Sequence, residues 1–294
     1  MYLAFYGLNE QPFSIQPDPD FLFFSRRYSY AYAMVKHCIN EKSNFIVISG
    51  EIGCGKTTLV RHLLNDLGSN LTVGLVYNTH REIADLFEWA MLSFGLPYEG
   101  LSREALEEAF QQYLVEQYCM EKSVLLVIDE AQNIHPDALE SLRSLLRFNT
   151  DKHQLLQIML VGQPELRSML SELELAQFTK GIAVDFHIKP FEEADVQAYI
   201  EHRLKVAGRD LPLFTPEACA KIASASKGIP RRINVLCNTA LMYGFSSEAD
   251  SIDAALIGEI FDDKAEYGAV QNTEYQQSFI NAELIGDTSQ SHVM

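Results

Sequence analysis

The chain has 294 residues, 47% of them hydrophobic, which suffices for one large domain or two smaller ones with sizeable cores. Its formal net charge of −17 weakens long-range attraction to phosphate polymers and argues against a DNA-coating protein. The longest apolar runs, such as VLLVI and IMLVG, fall far short of the roughly 18 residues of a membrane-spanning helix, so no membrane insertion is expected. The N-terminus, MYLAFYGLNEQPF, has neither a basic leader nor a small-residue cleavage site. Cys38, Cys54, Cys119, Cys219 and Cys237 are odd in number, scattered and never in a CxxC pair, which suits reduced thiols. A cytoplasmic location is the resulting expectation.

In chain order, PFSIQPDPDFLFFS (12–25) is rich in proline and aromatic residues and reads as an extended arm packed on the body. A helix over about 26–42 leads into FIVIS, a short β-branched strand. Then comes Gly50-x4-Gly55-Lys56-Thr57, followed by TTLVRHLLNDL with leucines at helical intervals. Strand, glycine loop, helix is the context in which backbone N–H groups converge on an anion and a helix adds its positive N-terminus. Gly50, Glu51, Ile52, Gly53, Cys54, Gly55, Lys56, Thr57 and Thr58 are therefore the candidate nucleotide-binding residues. Lys56 is suited to reach the β- and γ-phosphates of ATP, and the Thr57 hydroxyl to coordinate Mg²⁺. The plain alternative is a tight glycine connection, which the flanking strand and helix disfavour.

A second strand, LTVGLVYN (71–78), is followed by a helical stretch to about 95 and an amphipathic helix over about 102–119. SVLLVIDEAQNI (123–134) is a buried-strand run ending in two acids, and after a further helix LLQIMLVGQ (155–163) is another strand. Alternating β and α predicts an α/β fold, a parallel sheet of P-loop NTPase type covered by helices. Asp129 and Glu130 fall at the carboxyl end of a strand, where open α/β sheets bind ligands. Asp129 is placed to hold Mg²⁺ through water, and Glu130 to polarise an attacking water, unless the two simply cap a nearby helix. Gln163 ends the next strand; either its amide orients the nucleophile or senses the γ-phosphate, or it is a turn residue before Pro164.

From about 192 the strand pattern stops, and helices at about 192–207, 215–226 and 230–245 form a small all-α lid. The organisation expected is an arm (1–25), a nucleotide-binding α/β domain (26–191), a helical lid (192–262) and a flexible polar tail (263–294). HRLKVAGR (202–209) and KGIPRR (227–232) are locally positive; they are either solvated helix ends or a local basic patch.

Taken together, FYGLNEQPFSIQPDPDFLFFS, GEIGCGKTTL, LLVIDEAQNI, LLQIMLVGQPEL, YIEHRLKVAG and GIPRRINVLCNTALM resemble the AAA+ ATPases of the general secretion pathway protein A group. That group includes ATPases encoded beside exopolysaccharide and exosortase systems, and the resemblance covers about residues 2–262. A more distant similarity is to ATPases that regulate target choice in DNA transposition. The resemblance implies an AAA+ core with a helical lid, Mg²⁺-dependent ATP hydrolysis, and homo-oligomers holding nucleotide between subunits. It implies that Arg231 of GIPRRIN contacts the γ-phosphate from the lid, a role that a forked guanidinium suits; Arg232 beside it either shares or replaces that role or is a plain helix-surface arginine. It also marks a departure. Where the family has Gln-Arg-Ile leading into the final strand, this chain has Lys180-Gly181-Ile182, so the arginine expected to act in trans is missing. Arg143, Arg147 and Arg167, on the helices flanking the LLQIMLVG strand, are the candidate substitutes, or else plain surface residues.

Longer relatives carry a membrane helix and a peptidoglycan-binding module that this sequence does not reach. The leading expectation is thus a cytoplasmic ATPase whose nucleotide state drives assembly or partner binding, the partner being a protein of a secretion, pilus or polysaccharide-export machine. Two alternatives stay open: an ATP-dependent, DNA-associated regulator of transposition or defence, and a nucleotide-gated scaffold that scarcely hydrolyses ATP.

Overall fold

The computed structural model describes residues 1–16, 18–68, 70–76, 86–134, 142, 144–150, 153–171 and 182–267. Its elements in chain order begin with α1 (Tyr2–Tyr6), a 3-10 turn at Pro19–Phe21, α2 (Arg26–Asn40), β1 (Phe45–Gly50), α3 (Lys56–Asp66) and β2 (Leu71–Val76). Then follow α4 (Leu86–Ser93), α5 (Arg103–Cys119), β3 (Ser123–Ile128), a 3-10 turn at Ala131–Asn133 and β4 (Leu156–Gly162). The remainder is α6 (Glu165–Ser171), β5 (Ile182–Ile188), α7 (Glu193–Val206), α8 (Pro216–Ser226), α9 (Pro230–Ser246) and α10 (Ala254–Tyr267). Two compact units result: Arg26–Ile52 with Lys56–Lys189, and Met1–Ser25 with Gly53–Gly55 and Pro190–Met294.

The first unit is a five-stranded sheet in the order β2-β3-β4-β1-β5 with every pair parallel. All residues of β1 and β4 are buried, as expected of central parallel strands covered on both faces. On one face Phe45, Val47, Leu126, Ile128, Ile158 and Leu160 pack with Phe87, Phe110 and Leu114 of α4 and α5. On the other, α3 lies against β1 and β4, and α2 against β5. Helix α5 starts where the sequence places it, because the Ser102 hydroxyl accepts from Ala105 N at 3.3 Å.

Register decides what meets at the sheet's carboxyl edge. Ser49 of β1 pairs with Gly162 of β4, and Ile128 of β3 with Leu160 of β4. The glycine loop after β1, the acids after β3 and Gln163 after β4 therefore emerge side by side. The apolar pattern leaves β5 unmarked, since Asp185 and His187 interrupt it; among the described residues β5 is an edge strand that pairs only with β1. The helix expected between Ile134 and the LLQIMLVGQ strand lies partly outside the described residues, which omit 135–141 and 143, and Tyr77 and Asn78 of the expected second strand lie outside them as well.

In the second unit α7, α8 and α9 are joined by a fourth helix, α10, which runs past residue 262, where a tail was expected to begin. Its Leu256, Ile257 and Ile260 join a core with Val196, Ile200, Ile222 and Leu241. The N-terminal segment shares this core through Tyr6, Leu8, Phe13 and Phe21, and it is helical at α1 rather than extended throughout. Helix α8 is capped by the Thr215 hydroxyl, which accepts from Ala218 N at 3.2 Å, with Pro216 in its first turn. At its end Gly228 has φ +70°, and a side chain there would meet Phe191 O at 2.0 Å; the chain turns on this glycine into Pro230 and α9.

Candidate functional site

The glycine loop has the geometry that phosphate binding needs. Gly53 and Gly55 take φ of +84° and +89°, the left-handed region open to glycine at little cost. The loop runs straight into α3 at Lys56, so the first-turn N–H groups of Lys56, Thr57 and Thr58 have no intrahelical acceptors. Lys56 is only 6% exposed, and its ammonium donates to Gly50 O at 2.7 Å and Glu51 O at 3.1 Å. A buried cation held by carbonyls of its own loop is a charge prepared for an anion. Cys54 is buried within the loop, while Glu51 and Ile52 are exposed.

Beside it, the Thr57 hydroxyl donates to Asp129 Oδ2 at 3.0 Å, while Asp129 Oδ1 accepts from Glu130 N at 2.9 Å. Asp129 is 9% exposed. Burial pushes its carboxyl above the ordinary aspartate value, against the opposing pull of the Glu130 N–H and the Thr57 hydroxyl. A hydroxyl and a carboxylate oxygen 3.0 Å apart form the hard oxygen donor pair that suits Mg²⁺, which takes few protein ligands and completes its shell with phosphate and water. Among the described residues there is no cluster of three or more His, Cys, Asp or Glu that could form an all-protein metal cage.

Glu130 adopts φ 52°, ψ 38°, and its side chain makes no capping bond to the following 3-10 turn. Its Oε2 instead accepts from Gln132 Nε2 at 2.7 Å and from Gln163 Nε2 at 3.3 Å. Gln163 also serves as a turn residue, since its carbonyl accepts from Leu166 N at 3.0 Å at the start of α6. The turn reading of Gln163 thus describes its backbone, while its amide engages Glu130. Gln132, within the DEAQN run, carries no expected role from the sequence. The signal that could have found it is a long amide two residues beyond an acid at a strand's carboxyl end.

The arginines are distributed differently. Within the second unit, Arg231 N donates to Gly53 O at 3.2 Å, and its side chain is exposed at the start of α9. Arg167 on α6 places Nε and Nη2 on Asp185 Oδ2 at 2.9 and 2.7 Å. Burial, followed by the Arg167 charge, lowers the pKa of His187, whose Nδ1 lies 3.0 Å from Ser49 Oγ. Arg147 is exposed. Arg143, Lys180 and Gly181 lie outside the described residues. Of the two basic stretches, the first does not form a solvated face throughout: Arg203 is buried against the N-terminal segment.

Residues 39–170 match the family model described as AAA domain. General secretion pathway protein A of Aeromonas hydrophila is 37% identical over 253 residues, which is 86% of this chain and 46% of that protein. The chain thus spans under half the length of this curated relative. Among solved structures, the ORC2 protein of Aeropyrum pernix in its ADPNP-ADP complexes superposes with a TM-score of 0.63 at 19% identity, covering 90% of this chain and 75% of that one. Cdc6p from Pyrobaculum aerophilum gives 0.61 at 14% identity, over 83% of this chain and 68% of that one. The RuvB Holliday junction branch migration motor of Thermotoga maritima gives 0.51 at 16%, over 81% and 69%. Parallel sheet, glycine loop, acid pair and these likenesses converge on one assignment: the chain carries an AAA domain, built on the P-loop AAA+ fold.

Proposed function

We propose that this chain binds ATP with Mg²⁺ and hydrolyses it, and that the nucleotide state drives assembly or partner binding in a secretion, pilus or polysaccharide-export machine. The observation that carries the reading is the meeting of Lys56, Thr57, Asp129 and Glu130 at one edge of the sheet, with Thr57 on Asp129 and Gln163 on Glu130. Lys56 neutralises the β- and γ-phosphates, and the N–H groups of the glycine loop and first turn of α3 hold their oxygens. Thr57 and Asp129 hold Mg²⁺, which when bound offsets charge developing on the phosphates. Glu130 accepts the proton of the attacking water, and Gln163 orients its carboxylate. Arg231 contacts the γ-phosphate, the role that the resemblance implies for it and that a forked guanidinium suits. Similarity to a general secretion pathway protein supports the secretion assignment.

Two substitutions separate binding from chemistry. Lys56→Ala removes a charge-assisted contact worth roughly 1.5–3 kcal/mol, so ATP affinity measured by calorimetry should fall by about tenfold to more than a hundredfold. Glu130→Gln keeps shape and hydrogen bonding but removes the charge that activates water, so it should bind ATP while turnover falls by about 100-fold or more. Unchanged ATP affinity in Lys56→Ala removes the glycine loop from the account. Wild-type turnover in Glu130→Gln removes the hydrolytic role of the acid.

A further inference from the structure

The hydrogen bonds around Glu130 form a chain that begins in the sheet. Gln163 N, at the end of β4, donates to Gln132 Oε1 at 3.0 Å, and Gln132 Nε2 donates to Glu130 Oε2 at 2.7 Å. The first bond fixes the second. A backbone N–H can only donate, so it selects the amide oxygen of Gln132 and turns the amide nitrogen toward Glu130. Gly162 completes the arrangement. A Cβ there would lie 2.8 Å from Gln132 Oε1 and 3.3 Å from Gln132 N, so Gln132 sits against the strand end in space that only glycine leaves open. Both amide donors fall on Oε2, and among the described residues no hydrogen bond engages Oε1. A carboxylate with one oxygen tethered and the other turned free is oriented to accept a proton on the free one.

We infer that Gln132 is a positioning residue: its amide carries the position of the β4 terminus to the Glu130 carboxylate and aims that carboxylate at the attacking water. The inference rests on the hydrolytic reading of Glu130 proposed above. Gln132 contributes to the orientation of the base and not to ATP binding. Because Gln132 and Gln163 grip the same oxygen, a displacement of the β4 end by nucleotide moves Glu130 with it.

Steady-state ATPase assays on the full chain with Mg²⁺, paired with calorimetric ATP binding and thermal unfolding, test this. Gln132→Ala should lower kcat by roughly 10- to 100-fold with ATP affinity within about twofold of wild type, since a misaimed base costs rate and not binding. Gln132→Glu keeps an acceptor for Gln163 N but sets a carboxylate against Glu130, and should lower kcat similarly; it carries the test if Gln132→Ala fails to fold. Gly162→Ala, which displaces the amide without changing its chemistry, should shift kcat in the same direction. In the Glu130→Gln background Gln132→Ala should lower kcat no further, a non-additivity that a purely structural role does not produce. The inference is overturned if the Gln132 variants turn over at or above the wild-type rate, if ATP affinity falls as much as kcat, or if the double variant is additive. Glu130→Gln inactive with Gln132→Ala at full rate defeats this inference alone. Both at full rate defeat the hydrolytic reading as well.

Discussion

Gln157, the second residue of β4, is 2% exposed, and neither its amide nitrogen nor its oxygen has a partner among the described residues. It points to the face that Leu125 of β3 shares, away from Leu156 and Ile158. A buried polar group without a partner costs about 1–3 kcal/mol, whereas an apolar group of similar size removes that penalty. Gln157→Leu should therefore raise the urea unfolding free energy by about 1–3 kcal/mol, and a decrease would show that the amide serves a polar partner. Asp129 makes a related sacrifice with a pH signature. Burial raises its folded-state pKa above the unfolded value of about 3.9, so the native state binds the proton more tightly. The sign follows directly. Stability referable to Asp129 is greatest below the unfolded value and falls as pH rises through the raised folded value, leaving the ionised native carboxylate strained at neutrality. Asp129→Asn should raise the melting temperature at pH 7 relative to wild type, with the difference vanishing near pH 3; a lower melting temperature at pH 7 counts against this. The proposed metal role predicts that the same variant loses Mg²⁺-dependent turnover.

At the scale of elements, the N-terminal segment is fastened to α7 and α9 by a buried network. The Arg203 guanidinium donates to Pro12 O, to Tyr199 Oη at 2.9 Å and to Ser14 O at 3.4 Å, and lies 4.7 Å from the centre of the Phe21 ring. Tyr199 Oη donates to Asn234 Oδ1 at 2.8 Å, and Asn234 Nδ2 to Ser14 O at 3.2 Å. A forked, planar cation is needed to reach two carbonyls and a ring together, which lysine cannot do. Arg203→Lys should lose about 1.5–3 kcal/mol of stability and make residues 12–14 exchange amide protons faster, read by hydrogen exchange. Protection equal to wild type would show that apolar contacts of Phe13 and Phe21 suffice. The element-level lesson about legibility lies here too. HRLKVAGR read by composition is a basic stretch, yet Arg203 is an internal clamp and Arg209 donates to Tyr6 O at 2.6 Å. Composition records charge, while burial is set by which helix face meets a segment nearly two hundred residues away in sequence.

For the whole molecule, the proposed assembly has a consequence in concentration. If subunits meet at the nucleotide, specific ATPase activity should rise with protein concentration, and an arginine should act across the interface to stabilise transition-state charge. Arg167 carries an exposed pair with Asp185, and such pairs contribute only about 0–1 kcal/mol, little hindrance to recruitment by a neighbouring subunit. Arg167→Ala or Arg147→Ala should abolish activity with ATP binding retained, and mixing the inactive variant with Lys56→Ala should restore turnover. Flat specific activity, active alanine variants and no rescue on mixing would instead mark a monomeric ATPase or a slow switch.

The sequence by itself determined the α/β class, the glycine loop and the acid pair. Periodicity and local chemistry suffice where residues act next to one another in the chain, as in Gly50 through Thr58, or where a buried parallel strand must be apolar on both faces, as in β1, β3 and β4. Periodicity left the edge strand β5, which only the family resemblance placed at Ile182, and the helix α10 unmarked, because alternate exposure and a single buried face give weak patterns. Only the tertiary structure decided the rest. Parallel register brought Thr57 to Asp129, and Gln163 to Gln132 and Glu130, contacts spanning 72, 31 and 33 residues of sequence. No local pattern encodes such separations. They depend on which strands lie adjacent and in what register, and that follows from burying both faces of the sheet at once.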